Sequence, residues 1–112
     1  MKEIKAYLRP SLLDPVIRGL EDAGARDITV IRVDAIAAGV NPDEHHFFQK
    51  YDAKYSAVAK VEIVCRDSNA SLFAETIRKL ACTGAHGDGR IFVSDISAAT
   101  NIRTGDTGEE AL

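Results

Sequence analysis

The chain lacks the marks of several large functional classes. Its 112 residues contain no apolar stretch near the roughly 20 residues of a membrane span, and no apolar signal-type run follows Met1-Lys2-Glu3. A cytoplasmic address without direct membrane insertion is therefore expected. Basic charge is not in excess: 14 Lys and Arg against 17 Asp and Glu leave a net charge of −3, which argues against a nucleic-acid partner. A local cluster of cations can still hold a small anion. Cysteine is scarce, and Cys65 and Cys82 fall in different predicted elements without C-x-x-C spacing. That disfavours a disulfide framework or a zinc site and leaves two small hydrophobes, both expected to be buried. The dinucleotide pattern G-x-G-x-x-G and the Walker pattern G-x-x-x-x-G-K-[ST] are also absent.

What is present is an ordinary globular composition, 46% hydrophobic and 28% charged, which implies one domain over residues 1–112. Within it, Thr83-Gly84-Ala85-His86-Gly87-Asp88-Gly89-Arg90 combines a glycine-dense loop with a fixed cation, and Arg103-Thr104-Gly105 follows. Gly84, Gly87 and Gly89 permit backbone angles closed to other residues, so successive N–H groups can point at phosphate oxygens. Arg90 and Arg103 would add planar, permanently charged forks suited to phosphate. No nucleophile and base accompany them, so the segment reads as recognition equipment. The plainer reading is a turn joining a helix to a strand with exposed arginines beside it.

Periodicity supplies the frame. Lys2–Arg9 alternates with Ile4, Ala6 and Leu8 on one face, which predicts a strand ending at Pro10. Ser11 begins a cap-like Ser-Leu-Leu-Asp, Pro15 sits in the first turn, and Leu13, Val16, Ile17 and Leu20 make a helical stripe that Gly24 stops. Asp27–Ile36 reads as a second strand and Val58–Cys65 as a third. Asp67 and Ser68 are candidate caps for a helix with Leu72, Phe73, Thr76, Ile77 and Leu80 as its stripe, and Arg90–Ser94 is a fourth strand. The order βαββαβ predicts an α+β, ferredoxin-like domain: a four-stranded antiparallel sheet with both helices on one face. The uncovered face would carry Ile31, Val33, Val58, Val64 and Phe92, so a homo-oligomer is expected to cover it.

Along nearly its whole length the chain resembles the P-II nitrogen regulatory protein family. The resemblance rests on Thr83-Gly84-x-x-Gly87-Asp88-Gly89-Arg90-Ile91-Phe92-Val93, with Arg9-Pro10, Leu13-Asp14, Thr29-Val30, Lys60-Val61-Glu62-Ile63-Val64 and Arg103-Thr104-Gly105 in support. It implies a homotrimeric sensor rather than an enzyme, binding ATP or ADP in clefts between subunits and contacting a target protein, such as a membrane transporter or metabolic enzyme, through a long loop. By position, Gly87, Asp88, Gly89, Arg90 and Arg103 would hold phosphates, and Thr29, Glu62 and Val64 would surround adenine and ribose.

The departures from the family pattern matter. Arg90 stands where lysine is usual, and Asn101 where a first arginine is usual, so AMP joins ADP as a candidate competitor of ATP. Gly39 replaces a glutamine that helps hold magnesium and 2-oxoglutarate, and Val58 replaces the lysine that pairs with the 2-oxoglutarate carboxylate. Loss of a metal ligand and a cation predicts a weak or absent response to that acid.

The central loop, residues 37–57, is long enough to be functional. Its Asp43-Glu44-His45-His46-Phe47-Phe48-Gln49-Lys50-Tyr51 run offers a partner-contact surface in His45, His46, Phe47, Phe48 and Tyr51, with Tyr55 as a further anchor. Packing against a neighbouring subunit is the plainer alternative for those aromatics. Tyr51 occupies a position that some family members nucleotidylate. His45 and His46, with Asp43, Glu44 and His86, form a candidate metal set, although adjacent histidines on extended chain point to opposite faces. Alternatives to the nucleotide sensor are a metal- or bicarbonate-responsive regulator of a transporter, a metal-binding trimer similar to divalent-cation tolerance proteins, and a slow nucleotide hydrolase in which Asp88 or Glu62 orients water.

Overall fold

The computed structural model describes residues 1–36 and 55–112. Strand β1 (Lys2–Leu8) leads through a 3-10 turn (Pro10–Leu12) into helix α1 (Leu13–Asp22), then β2 (Thr29–Ile36) and β3 (Tyr55–Cys65). Helix α2 (Asp67–Ala81), β4 (Gly89–Asp95) and a last 3-10 turn (Gly108–Ala111) complete the order. The strands lie as β2-β3-β1-β4, every neighbouring pair antiparallel. This is the ferredoxin-like arrangement that the alternating pattern predicts.

Register explains which side is core. Ile4 lies opposite Ile63 and Val93, and Ala6 opposite Val61 and Ile91, so these residues share one face. Val16 and Leu20 from α1 and Phe73 and Ile77 from α2 join Ile4, Ala6, Leu8, Val61 and Ile63 in one buried cluster. Both helices therefore cover the same face. Burying each large aliphatic side chain there stabilises the fold by roughly 1.5–3 kcal/mol. Gly19 lets the helices approach closely, since a Cβ at that position would fall 2.2 Å from Leu80 Cδ1.

Helix α1 ends as its glycine predicts. Gly24 has φ 96°, its N–H bonds to Glu21 O at 3.0 Å, and Ala25 N–H reaches Leu20 O at 2.8 Å. Those two bonds satisfy carbonyls that the helix end would otherwise leave open.

Several local expectations are corrected. The N-cap residues, Leu12 of α1 and Arg66 of α2, make no side-chain cap bond: Ser11 lies inside the 3-10 turn, and Asp67 pairs with the Met1 amine at 2.9 Å. The buried stripe of α2 is Ala70, Phe73, Ile77 and Ala81, while Leu72 and Leu80 are exposed. Small alanines face the sheet at the correct spacing, and the larger leucines sit to the side of it. Strand β2 begins at Thr29 rather than Asp27, because Asp27 adopts φ 54°, incompatible with extended chain. Strand β3 begins at Tyr55, three residues before the predicted start, since Ile36, Ala35 and Asp34 pair with Tyr55, Ser56 and Ala57. Cys65 is buried, but Cys82 is exposed just past the end of α2.

The opposite sheet face carries the predicted apolar residues among charges. Arg90, Tyr7, Lys60 and Ile31 form one cross-strand row, and Phe92, Lys5, Glu62 and Thr29 the next. Lys60 bonds Glu62 at 2.8 Å, Lys5 pairs with Glu3 at 3.2 Å, and the Tyr7 and Phe92 rings meet edge to face at 6.1 Å. Phe92 nevertheless stays 52% exposed in the single chain.

Candidate functional site

The glycine loop spans the gap between α2 and β4, and its shape follows from one carboxylate. Asp88 accepts hydrogen bonds from Thr83 N–H at 2.8 Å, Gly84 N–H at 2.9 Å, the Thr83 hydroxyl, and Arg9 Nε at 3.3 Å. These donors, the Thr83 hydroxyl foremost, hold the Asp88 carboxyl well below the usual carboxylate range. Arg9, from the end of β1, also donates Nη2 to the His86 carbonyl at 2.8 Å. The loop is thus tied at both ends and across its middle before any ligand is considered.

Two glycines are required by geometry. Gly89 has φ 109°, and a Cβ there would fall 1.7 Å from the Tyr7 carbonyl oxygen, so β4 can enter the sheet beside β1 only with glycine at that point. Gly87 has φ 96° and rests above the Arg9 guanidinium, which a Cβ would approach to 3.3 Å. Arg90 follows on the open face, exposed, opposite Tyr7.

The nucleoside-side candidates sit elsewhere on that face. Thr29 and Glu62 are direct cross-strand partners, and Val64 is two residues further along β3. All three line a cavity of about 490 Å³ that also takes in Glu3, Arg26 and Arg66. The bond from Lys60, ahead of its opposing desolvation, lowers the Glu62 pKa, so this carboxylate is charged and already paired. Gly87, Gly89 and Arg90 line a different concavity of about 820 Å³, with Arg9, Val58 and Phe92. Within one chain, Gly87, Gly89 and Arg90 and the expected nucleoside-side residues therefore line two separate hollows.

Arg103 belongs to a third place. Thr100 and Thr107 pair across a C-terminal turn, in which Asn101 Oδ1 accepts from Arg103 N–H at 3.0 Å and Thr104 N–H at 3.1 Å. The Asn101 backbone closes the same turn through Asp106 O and Gly105 N–H, each at 2.8 Å. Asn101 Nδ2 reaches Ala111 O at 3.4 Å, and Arg66 pairs with Glu109 at 3.3 Å. Asn101 therefore shapes the turn that presents the Arg103 side chain outward.

Sequence reasoning overlooked Arg9 as a site residue, although Arg9-Pro10 belongs to the matched pattern. A contact spanning 79 residues gives no periodic signal. Val58 is half-buried on the open face, in the hollow beside Arg9 and Arg90, and brings no charge there. Gly39, Asp43, Glu44, His45, His46, Phe47, Phe48 and Tyr51 lie outside the described residues. Among the described residues no three His, Cys, Asp or Glu side chains gather as a metal set, and His86 contributes its carbonyl to Arg9. Among the described residues, no helix is long and apolar enough to cross a membrane.

The whole sequence can be set beside known proteins. The family model described as Nitrogen regulatory protein P-II matches residues 1–106. The chain is 38% identical over 112 residues to a Nitrogen regulatory protein P-II of Rhizobium meliloti (strain 1021), covering all of both chains. It is also 38% identical to Nitrogen regulatory protein P-II 2 of Methanothermobacter thermautotrophicus, covering all of this chain and 97% of that one. Identity to a Nitrogen regulatory protein P-II of Azospirillum brasilense is 33%, again over the full length of both. With the ferredoxin-like sheet, the matched glycine loop and full-length similarity together, the chain belongs to the P-II nitrogen regulatory protein family.

Proposed function

We propose that this protein is a trimeric signalling protein that binds ATP or ADP, with AMP as a weaker candidate, in clefts between subunits and uses its central loop to regulate a transporter or enzyme. The observation that carries the reading is the preformed glycine loop with Arg90 beside it, in a hollow separate from Thr29, Glu62 and Val64. A nucleotide that used both sets would draw phosphate contacts from one subunit and nucleoside contacts from its neighbour. The exposed apolar groups of the open face, Phe92 and Ile31 among them, favour the same assembly. Gly87 and Gly89 N–H groups with Arg90 and Arg103 would take the phosphates.

Regulation requires the nucleotide to bind the two states of the central loop with different affinity. Val58, where a cation would meet a second carboxylate, supports a lost or weak 2-oxoglutarate response, as does Gly39 in sequence. A hydrolase is disfavoured because Asp88 and Glu62, the candidate water-orienting groups, are already engaged by Thr83, Arg9 and Lys60. The names of the relatives describe regulators, not enzymes. Native mass spectrometry tests the assembly: a trimer that takes up to three ADP is expected, and a monomer that binds ADP alone would contradict the shared cleft.

A further inference from the structure

The Asp88 carboxylate stands at the centre of the glycine loop, yet each oxygen is taken up by the protein itself. One receives Thr83 N–H and Gly84 N–H, the other the Thr83 hydroxyl and Arg9 Nε. Arg9 extends this arrangement to the far side of the loop through the His86 carbonyl. Three separate elements are joined: the end of β1 by Arg9, the exit from α2 by Thr83, and the entry to β4 by Asp88.

We infer that Thr83, Asp88 and Arg9 form a latch that holds the glycine loop in its binding shape before ligand arrives, and that Asp88 is a positioning residue whose carboxylate makes no contact with nucleotide. A carboxylate directed at phosphate would repel it, whereas one turned inward toward four donors leaves the remaining loop N–H groups available to an anion. The loop then needs little ordering on binding, and preorganisation of this kind strengthens affinity without adding a contact. The threonine serves twice: its N–H and its hydroxyl bond different Asp88 oxygens, and the hydroxyl accepts from Ala85 N–H at 3.2 Å. Asparagine at 88 would have the carboxylate's shape but would turn an amide NH2 toward two of the donors.

The functional half of this inference rests on the nucleotide reading, so the test has two readouts. Hydrogen exchange of the apo protein follows the Thr83 and Gly84 amides, with β1 amides as the control for folding, and calorimetry follows ADP. Asp88→Asn is expected to speed exchange at both amides and weaken ADP binding, each by about tenfold, while β1 exchange is unchanged. Thr83→Val is expected to do the same to a smaller degree, about threefold, and Thr83→Ser to restore both to the wild-type values. Wild-type exchange in Asp88→Asn would overturn the latch. Loosened amides with undiminished ADP affinity would overturn its positioning role, as would Thr83→Ser behaving like Thr83→Val. Absence of ADP binding by the wild-type protein would contradict the nucleotide reading, and the exchange data would then decide the latch alone.

Discussion

The glycine loop and the C-terminal turn solve one problem in two ways. Each carries glycines with positive φ, each bears or adjoins an exposed arginine, and each is organised by a short polar side chain acting as acceptor. In the glycine loop that acceptor is a carboxylate with four donors, and the loop is also fixed against the sheet where Gly89 meets the Tyr7 carbonyl. In the C-terminal turn the acceptor is the neutral amide of Asn101 with two donors, tied to the rest of the chain by longer or exposed bonds such as Arg66 to Glu109. The lesson is that Arg90 stands on a loop bonded to several elements, which makes for the more rigid support, and Arg103 on a turn closed mainly by its own bonds, which makes for the more adaptable one. On the proposed nucleotide reading, a phosphate common to every adenine nucleotide would suit the first, and a contact that depends on the terminal phosphate would suit the second.

The largest effect is expected from breaking the rigid side. Gly89→Ala places a Cβ into the Tyr7 carbonyl and forces a positive φ on alanine, which should destabilise the fold by roughly 2–4 kcal/mol, read as an earlier chemical-denaturation midpoint. A wild-type midpoint would mean that β4 can shift away from β1 at little cost.

The adaptable side should yield less. Asn101→Ala removes the acceptor of two backbone N–H groups and is expected to cost about 1 kcal/mol by the same denaturation measurement. Asn101→Arg sharpens the comparison: it adds the cation that the family pattern carries but loses the turn's acceptor. Little or no gain of ATP over ADP is expected by calorimetry. A tenfold gain would show that the turn does not need Asn101.

The smallest expected effect is that of pH on the glycine loop. Because the folded Asp88 pKa is depressed, its ordering contribution is fully present above its ordinary value of 3.8 and is lost only as pH falls toward the lower folded value. Protection of the Thr83 and Gly84 amides, corrected for intrinsic exchange, should therefore be flat from about pH 5 to pH 8. A step near neutrality would mean that a group other than Asp88 controls the loop.

Much of this contrast was legible in sequence, for identifiable reasons. Alternation at Ile4, Ala6 and Leu8 and at Ala59, Val61 and Ile63 reported the core face because a strand's side chains repeat every second residue. Gly24 reported a helix end because its positive φ is a local requirement. The glycine loop was visible by composition. Its mechanism was not, because Arg9 reaches Asp88 across the fold and nothing near either residue signals the other. Asn101 read as a missing cation, since the bonds it makes within the turn appear only once the chain has folded back on itself. The early start of β3 was hidden for a related reason: Ser56 and Ala57 lack strand-like alternation and are extended because β2 pairs with them.

The account depends above all on an adenine nucleotide meeting Arg90 at the glycine loop. Calorimetric titration of ADP into the wild-type protein and into Arg90→Ala tests this most directly, because Arg90 is exposed and its removal should leave stability nearly unchanged. The account predicts binding near one ADP per chain in the wild type and a loss of about 10–100-fold in Arg90→Ala. Equal affinity in the two proteins, or no binding in either, would contradict it.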